Sequence, residues 1–167
     1  EYKRGKPTTP VRLVGKARDT GTTVSFIPDT DIFKEGIGLN FDTVKKQVRD
    51  RAYLIAGLAF NLADERSAEI ANYYFEGGIT SLVKALNRNK TTLHTPVFVT
   101  KTEGEKIVEV AIQYNDGFSE TVESFVNVIP TPEGGTHLTG FRMALTRAIN
   151  DYAKKVGASK NGTDTIM

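Results

Sequence analysis

The spacing of apolar residues changes along this chain, and each change predicts an element. Val11 to Val14 is a short apolar run, Asp19-Thr20-Gly21 carries turn chemistry, and Thr23 to Ile27 is β-branched and aromatic before Pro28-Asp29. That pattern predicts two strands joined by a polar connection. From Asn40 the period lengthens: Phe41, Val44, Val48, Ala52 and Ile55 recur every three or four residues, opposite Lys45, Lys46, Arg49 and Asp50. An amphipathic helix closing near Gly57 follows. Leu58, Phe60 and Leu62 then alternate with small or polar residues, Asp64 to Ser67 is polar, and Ile70 to Phe75 is rich in aromatics, which together read as a hairpin.

Gly77-Gly78 breaks the second strand, and Ile79, Leu82, Val83 and Leu86 restart a helical stripe at once. The double glycine is therefore the expected internal boundary, with a second module beginning after it. Within that module Pro96 to Thr100 reads as a strand, and Val108, Val110, Ile112 and Tyr114 alternate with Glu109, Ala111 and Gln113, the signature of a strand with one buried face. Asn115-Asp116-Gly117 supplies a turn, Thr121 to Ile129 another β run, and Pro130 to Gly135 a loop. Leu138, Phe141, Leu145, Ile149, Tyr152 and Val156 then mark the longest helix, with Gly157 as its stop. The polar tail from Ser159 to Met167 adds no terminal element, and both ends read as cut.

Composition narrows the classes. The 167 residues suffice for one domain or parts of two, and 39% hydrophobic with 25% charged content is ordinary for a globular protein. No apolar run reaches the ~18 residues of a membrane span and the first residues lack a secretory pattern, so the expected setting is soluble and cytoplasmic. Without an export signal, Asn89-Lys90-Thr91 and Asn161-Gly162-Thr163 read as loop residues, not glycan acceptors. Cysteine is absent and the two histidines, His94 and His137, stand apart, so no structural metal is expected. A net charge of +2 means that any nucleic-acid binding must come from local clusters of basic residues.

Candidate chemistry is sparse. No phosphate-cradling G-x-x-x-x-G-K-[ST] loop, nucleophile elbow or H-E-x-x-H pair occurs, so no self-contained enzyme is indicated. Glu133-Gly134-Gly135-Thr136-His137 enters a helix whose N–H groups could hold an anion, with His137 as acid or base. The plainer reading gives the glycines to a sharp turn and makes Thr136 the cap. Arg147 and Lys154, seven apart, share a face of the same helix, and Arg142 lies at the margin of its apolar stripe. Phosphate contact and a merely solvated face both fit. Lys84, Arg88 and Lys90 read as complements to a helix C-terminus, and DNA contact there is secondary. Thr22 and Val24, two apart on an expected strand, put a hydroxyl and a branched group on one side, as a pocket for a flat, polar-edged ring needs.

Taken in order, RGKPTTP, TGTTVSFIPD, YYFEGG, LNRNKTTLH, EVAIQYNDGFSE and FVNVIPTPEGGTHLTGFRMALTRAINDYAKK make the chain resemble an internal stretch of the ATP-binding B subunit of bacterial type IIA DNA topoisomerases, gyrase or topoisomerase IV. The resemblance implies an α+β fold. Residues 1–77 would be the last part of a GHKL-type ATPase α/β sandwich, and residues 78–167 the first part of a transducer domain like ribosomal protein S5 domain 2. It further implies that the threonine at Thr22 shares a water with an adenine-binding aspartate and that Val24 lines the adenine pocket. Arg142, with Arg147 as a weaker companion, would belong to a basic cavity for a transported duplex.

For the full-length protein the resemblance implies ATP and Mg2+ as cofactors, with duplex DNA, a topoisomerase A subunit and a second B subunit as partners. The activity implied is passage of one duplex through a break in another. The family's general base, magnesium ligand and ATP lid match nothing here, so the chain alone is expected not to hydrolyse ATP. Tyr114 stands where many gyrases have tryptophan, which leaves gyrase and topoisomerase IV both open. The rival readings are another GHKL ATPase machine, or a stand-alone S5-like module that binds nucleic acid.

Overall fold

The turn chemistry of Arg4-Gly5 starts the fold. In a computed structural model describing residues 1–34 and 38–158, both residues take positive φ, 51° and 76°. That is the pair a two-residue hairpin loop demands. It joins β1 (Tyr2–Lys3) to β2 (Lys6–Pro7), with Tyr2 opposite Pro7. The Arg4 guanidinium also reaches Asp29 and Asp31, and hydrogen bonding by Arg4 holds the Asp29 carboxyl below the usual range. These residues belong to a first compact unit, 1–44.

The strands expected at Val11 to Val14 and Thr23 to Ile27 are not formed: neither segment pairs, and Val11, Leu13, Val24 and Phe26 are all exposed. The residue types favour an extended chain, but a strand also needs a neighbour's N–H and C=O groups, which no local pattern encodes. Asn40 caps the first helix by accepting the Thr43 N–H on its side-chain oxygen at 3.0 Å. The first unit ends at Val44, in the opening turn of α1 (Phe41–Ala52).

The second unit, 45–167, holds the remaining elements. The predicted hairpin is present as β3 (Phe60–Asp64) and β4 (Glu69–Tyr73), which pair antiparallel. Phe60, Leu62 and Asp64 alternate inward along it, opposite Tyr73, Ala71 and Glu69. At its turn the Asp64 carboxylate accepts the Arg66 backbone N–H at 2.9 Å and is clasped by the Arg66 guanidinium.

That clasp lowers the Asp64 pKa to about 2, against an ordinary 3.8. A depressed carboxylate stabilises the folded state above its unfolded pKa, and the contribution is lost as pH falls through the folded one. Here the window runs from 3.8 down to about 2. A carboxyl 13C titration should place Asp64 near the lower value, and Arg66→Ala should move it most of the way up, the retained backbone N–H keeping a remainder. An unchanged midpoint in Arg66→Ala would refute the assignment.

After α1 the chain folds back so that Tyr53 stacks on Phe75, ring centroids 3.7 Å apart, and Gly57 N–H donates to the Phe75 carbonyl. Ala52 is fully buried. Gly78 is buried too, and at φ 51° and ψ −128° it caps α2 (Ile79–Leu86). A Cβ there would lie 3.1 Å from that of Ala56. The predicted second helix thus begins at the double glycine, and it packs on β6 of the next hairpin, β5 (Val97–Glu103) with β6 (Lys106–Ile112).

The β run expected from Thr121 shortens to a small hairpin, β7 (Phe125–Val126) and β8 (Ile129–Pro130), with Asn127 at φ 56° in its two-residue loop. Last comes α3 (Thr136–Lys155). Gly157 at φ 68° ends it, with Gly157 N–H donating to Lys154 and Ala158 N–H to Ala153, the paired bonds of a Schellman stop. The expectations for the tail, including Asn161 to Thr163, lie outside the described residues.

Val97, Phe98, Val99, Ile107 and Val108 on the β5–β6 hairpin are exposed, so the strand with one buried face expected from Val108 is only half-buried, and only toward its end at Val110 to Ile112.

Candidate nucleic-acid interface

The approach to α3 is shaped by two glycines. Gly134 and Gly135 have φ of 76° and 147°, which side chains rarely tolerate, and a Cβ on Gly135 would lie 2.9 Å from the His137 ring. The turn is anchored below by Gly134 N–H on the Thr131 carbonyl and by Thr131 N–H on the Ser124 carbonyl, both 2.8 Å. Ser124 Oγ sits 2.7 Å from Thr131 Oγ1, which lies 3.3 Å from His137 Nε2. Thr136, expected to cap the helix, is its first helical residue instead; Gly135 holds the cap position and no side chain caps there. The threonine hydroxyl serving the turn is Thr131, five residues earlier.

Two turns into α3, Arg142 lines an open cleft of about 210 Å³ together with Val122, Glu123, Ser124, Thr131 and Leu138. Its Nη2 donates to Glu120 Oε1 at 2.6 Å, and both side chains remain mostly exposed. Arg147 is five residues further on, about 140° around the helix, and its nearest acid is Asp151 at 3.8 Å. The two arginines are thus presented on different sides of α3. Thr22 and Val24 lie in the first unit on unpaired, exposed chain, and among the described residues no walls gather around them. Nor do the described residues contain a group of three or more His, Asp or Glu placed to hold a metal ion, and no described helix is long and apolar enough to cross a membrane.

A second polar assembly was not legible as such in the sequence. Asn87, only 8% exposed at the end of α2, donates to Gln113 Oε1 and accepts from Asn115 Nδ2, each at 3.0 Å. Gln113 Nε2 donates to the His94 carbonyl, and Tyr114 N–H donates to His94 Nε2. Accepting there makes Nε2 the bare nitrogen, so Nδ1 carries the proton and donates to the Thr95 carbonyl. Asn115 Oδ1 also accepts the Gly117 N–H, so the Asn-Asp-Gly turn is tied to the helix end and to the strand entrance together. The residue types were visible; that four amide- or imidazole-bearing residues 28 positions apart converge was not.

With this geometry in place, comparison with known proteins decides the family. Residues 78–167, more than half the chain, match the family model described as DNA gyrase B. The chain belongs to the DNA gyrase B family. It is 45% identical over 160 residues to the DNA gyrase B protein of Halalkalibacterium halodurans, covering 93% of this chain and 25% of that protein. To the gyrase B protein of Streptococcus pneumoniae it is 43% identical over 169 residues, covering 99% and 26%. The chain therefore spans about a quarter of the length of these gyrase B relatives. Among solved structures, the 43K ATPase domain of Thermus thermophilus gyrase B, in complex with an aminocoumarin, aligns with a TM-score of 0.81 and 38% identity over 93% of this chain and 43% of that one. The gyrase B structure from Myxococcus xanthus aligns with a TM-score of 0.71 and 25% identity over 83% and 42%. The α+β fold expected from the resemblance is the fold these gyrase B structures share with the chain.

Proposed function

We propose that the full-length protein is the ATP-hydrolysing B subunit of a type IIA topoisomerase. In this reading it couples nucleotide binding to passage of one duplex through a break in another, working with an A subunit and a second B subunit in the cytoplasm. The observation that carries the reading is the alignment with the gyrase B 43K ATPase domain over 93% of the chain. Bound nucleotide with Mg2+ supplies the free energy that favours a closed gate. What these residues contribute is narrower: Thr22 shares a water with the adenine-binding aspartate, Val24 lines the adenine pocket, and Arg142 contacts phosphate with a lesser share from Arg147. Residues 1–77 are the ATPase part and 78–167 the transducer part. Supporting that division are the double glycine and the start of the family match at residue 78; it is not a packing boundary, since Gly78 lies against Ala56 and donates its N–H to the Phe75 carbonyl across it. The chain alone is inactive in this reading.

Separate damage to the two roles is the test. In the full-length protein Thr22→Val should weaken ATP binding about five-fold, the worth of one modest hydrogen bond, and leave duplex affinity without nucleotide unchanged. Arg142→Ala should do the reverse, weakening duplex binding whatever the sequence and lowering the salt slope by about 1. If both variants bound ATP and duplex as the parent does, the assignment of these sites would be wrong.

A further inference from the structure

The Arg142–Glu120 pair bears on how the proposed DNA contact is controlled, and the inference rests on that reading of Arg142. A guanidinium offers planar N–H donors that suit carboxylate and phosphate oxygens alike. In the structure one of those donors, Nη2, is taken by Glu120 at 2.6 Å. Glu120 stands on the stretch between Gly117 and Ser124, which forms no helix or strand and whose Phe118 is fully exposed. The side chains of the pair are 58% and 70% exposed, so water competes for both partners. Glu123, the carboxylate that lines the cleft beside Arg142, makes no described bond to it.

We propose that Glu120 is an internal competitor for the DNA phosphate, occupying Arg142 until a duplex displaces it. Exchange of one oxygen anion for another keeps the arginine paired in both states. A wet ion pair is worth little, so a polyanion can displace it, yet enough to lower duplex affinity measurably. The loop carries the carboxylate away without breaking any strand pairing. The consequence is restraint: the cavity engages a duplex only when phosphate is presented closely enough to outcompete the loop.

The test is anisotropy with a labelled duplex of about thirty base pairs and the full-length protein without nucleotide. Glu120→Gln should tighten binding about two- to five-fold, the range an exposed pair supports. Glu123→Gln removes an equal charge close to Arg142 but not the contact, and should tighten it less. In an Arg142→Ala background the Glu120→Gln gain should vanish. If Glu120→Gln helped equally with or without Arg142, or no more than Glu123→Gln, the effect would be general charge and the competitor idea would fall. If Arg142→Ala weakened binding but Glu120→Gln changed nothing, the competition alone would be overturned. If Arg142→Ala left affinity unchanged, the DNA reading would fail and the competition with it.

Discussion

Replacing Gly78 by alanine is expected to lower the thermal midpoint of the transition that reports on this region by about 4–8 °C, the shift that ~2 kcal/mol produces in a domain of this size. Two effects add. At φ 51° and ψ −128° the backbone occupies a region closed to residues with a Cβ, a strain of about 1–3 kcal/mol. The new methyl would also meet the Ala56 Cβ at 3.1 Å in a buried position. Loss of glycine's freedom in the unfolded chain offsets only about 0.4–1 kcal/mol. The contrasting substitution is Gly140→Ala: Gly140 lies inside α3 with open space where the methyl would stand, so it should raise the midpoint slightly through helix propensity. A second-site Ala56→Gly should relieve the collision but not the strain and restore only part of the loss. Equal midpoints for Gly78→Ala and the parent would mean that α2 does not start as described.

Gly78 also shows where the sequence was readable. A double glycine between an aromatic strand and a helical stripe points to a break, because both neighbours carry their own periodicity, and α2 does begin there. The hairpin β3–β4 was legible for the same reason: alternation and turn residues are local, and the register needs only the two strands themselves. Of β5–β6 the two strands were legible, but not their pairing. Gly157 was legible because a left-handed stop has a strong residue preference. The failures share the opposite cause. Val11 to Val14 and Thr23 to Ile27 have strand composition but no strand, since pairing depends on a neighbour that composition does not name. Thr136 looked like a cap because threonine before an apolar stripe often is one. Gly135 takes that place because the turn needs positive φ at two consecutive residues.

The candidate site divides along the same line. Arg142 was legible as a basic residue at the edge of the α3 stripe, but Glu120, 22 residues away on an irregular segment, carries no periodic signal and was missed. The Asn87, Gln113 and Asn115 assembly was missed likewise, although Asn-Asp-Gly marked its turn. Local rules located the turns; the partners came from the fold.

Strand passage driven by ATP is the largest effect the account expects, because it is all or none. A nucleotide can shift a gate from mostly open to mostly closed only through different affinities for the two states, and a change from 1:99 to 99:1 needs a ratio of about 10⁴. In the proposed reading hydrolysis then restores the open state, so that repeated turnover would move duplex in one direction. The measurement to make is plasmid topology, with the full-length protein, its A subunit, Mg2+ and ATP, beside the same mixture lacking ATP. ATP-dependent negative supercoiling is the predicted result and would mark a gyrase; ATP-dependent relaxation and decatenation without supercoiling would keep strand passage but point to the topoisomerase IV type. Hydrolysis of ATP with no change in plasmid topology would contradict the account.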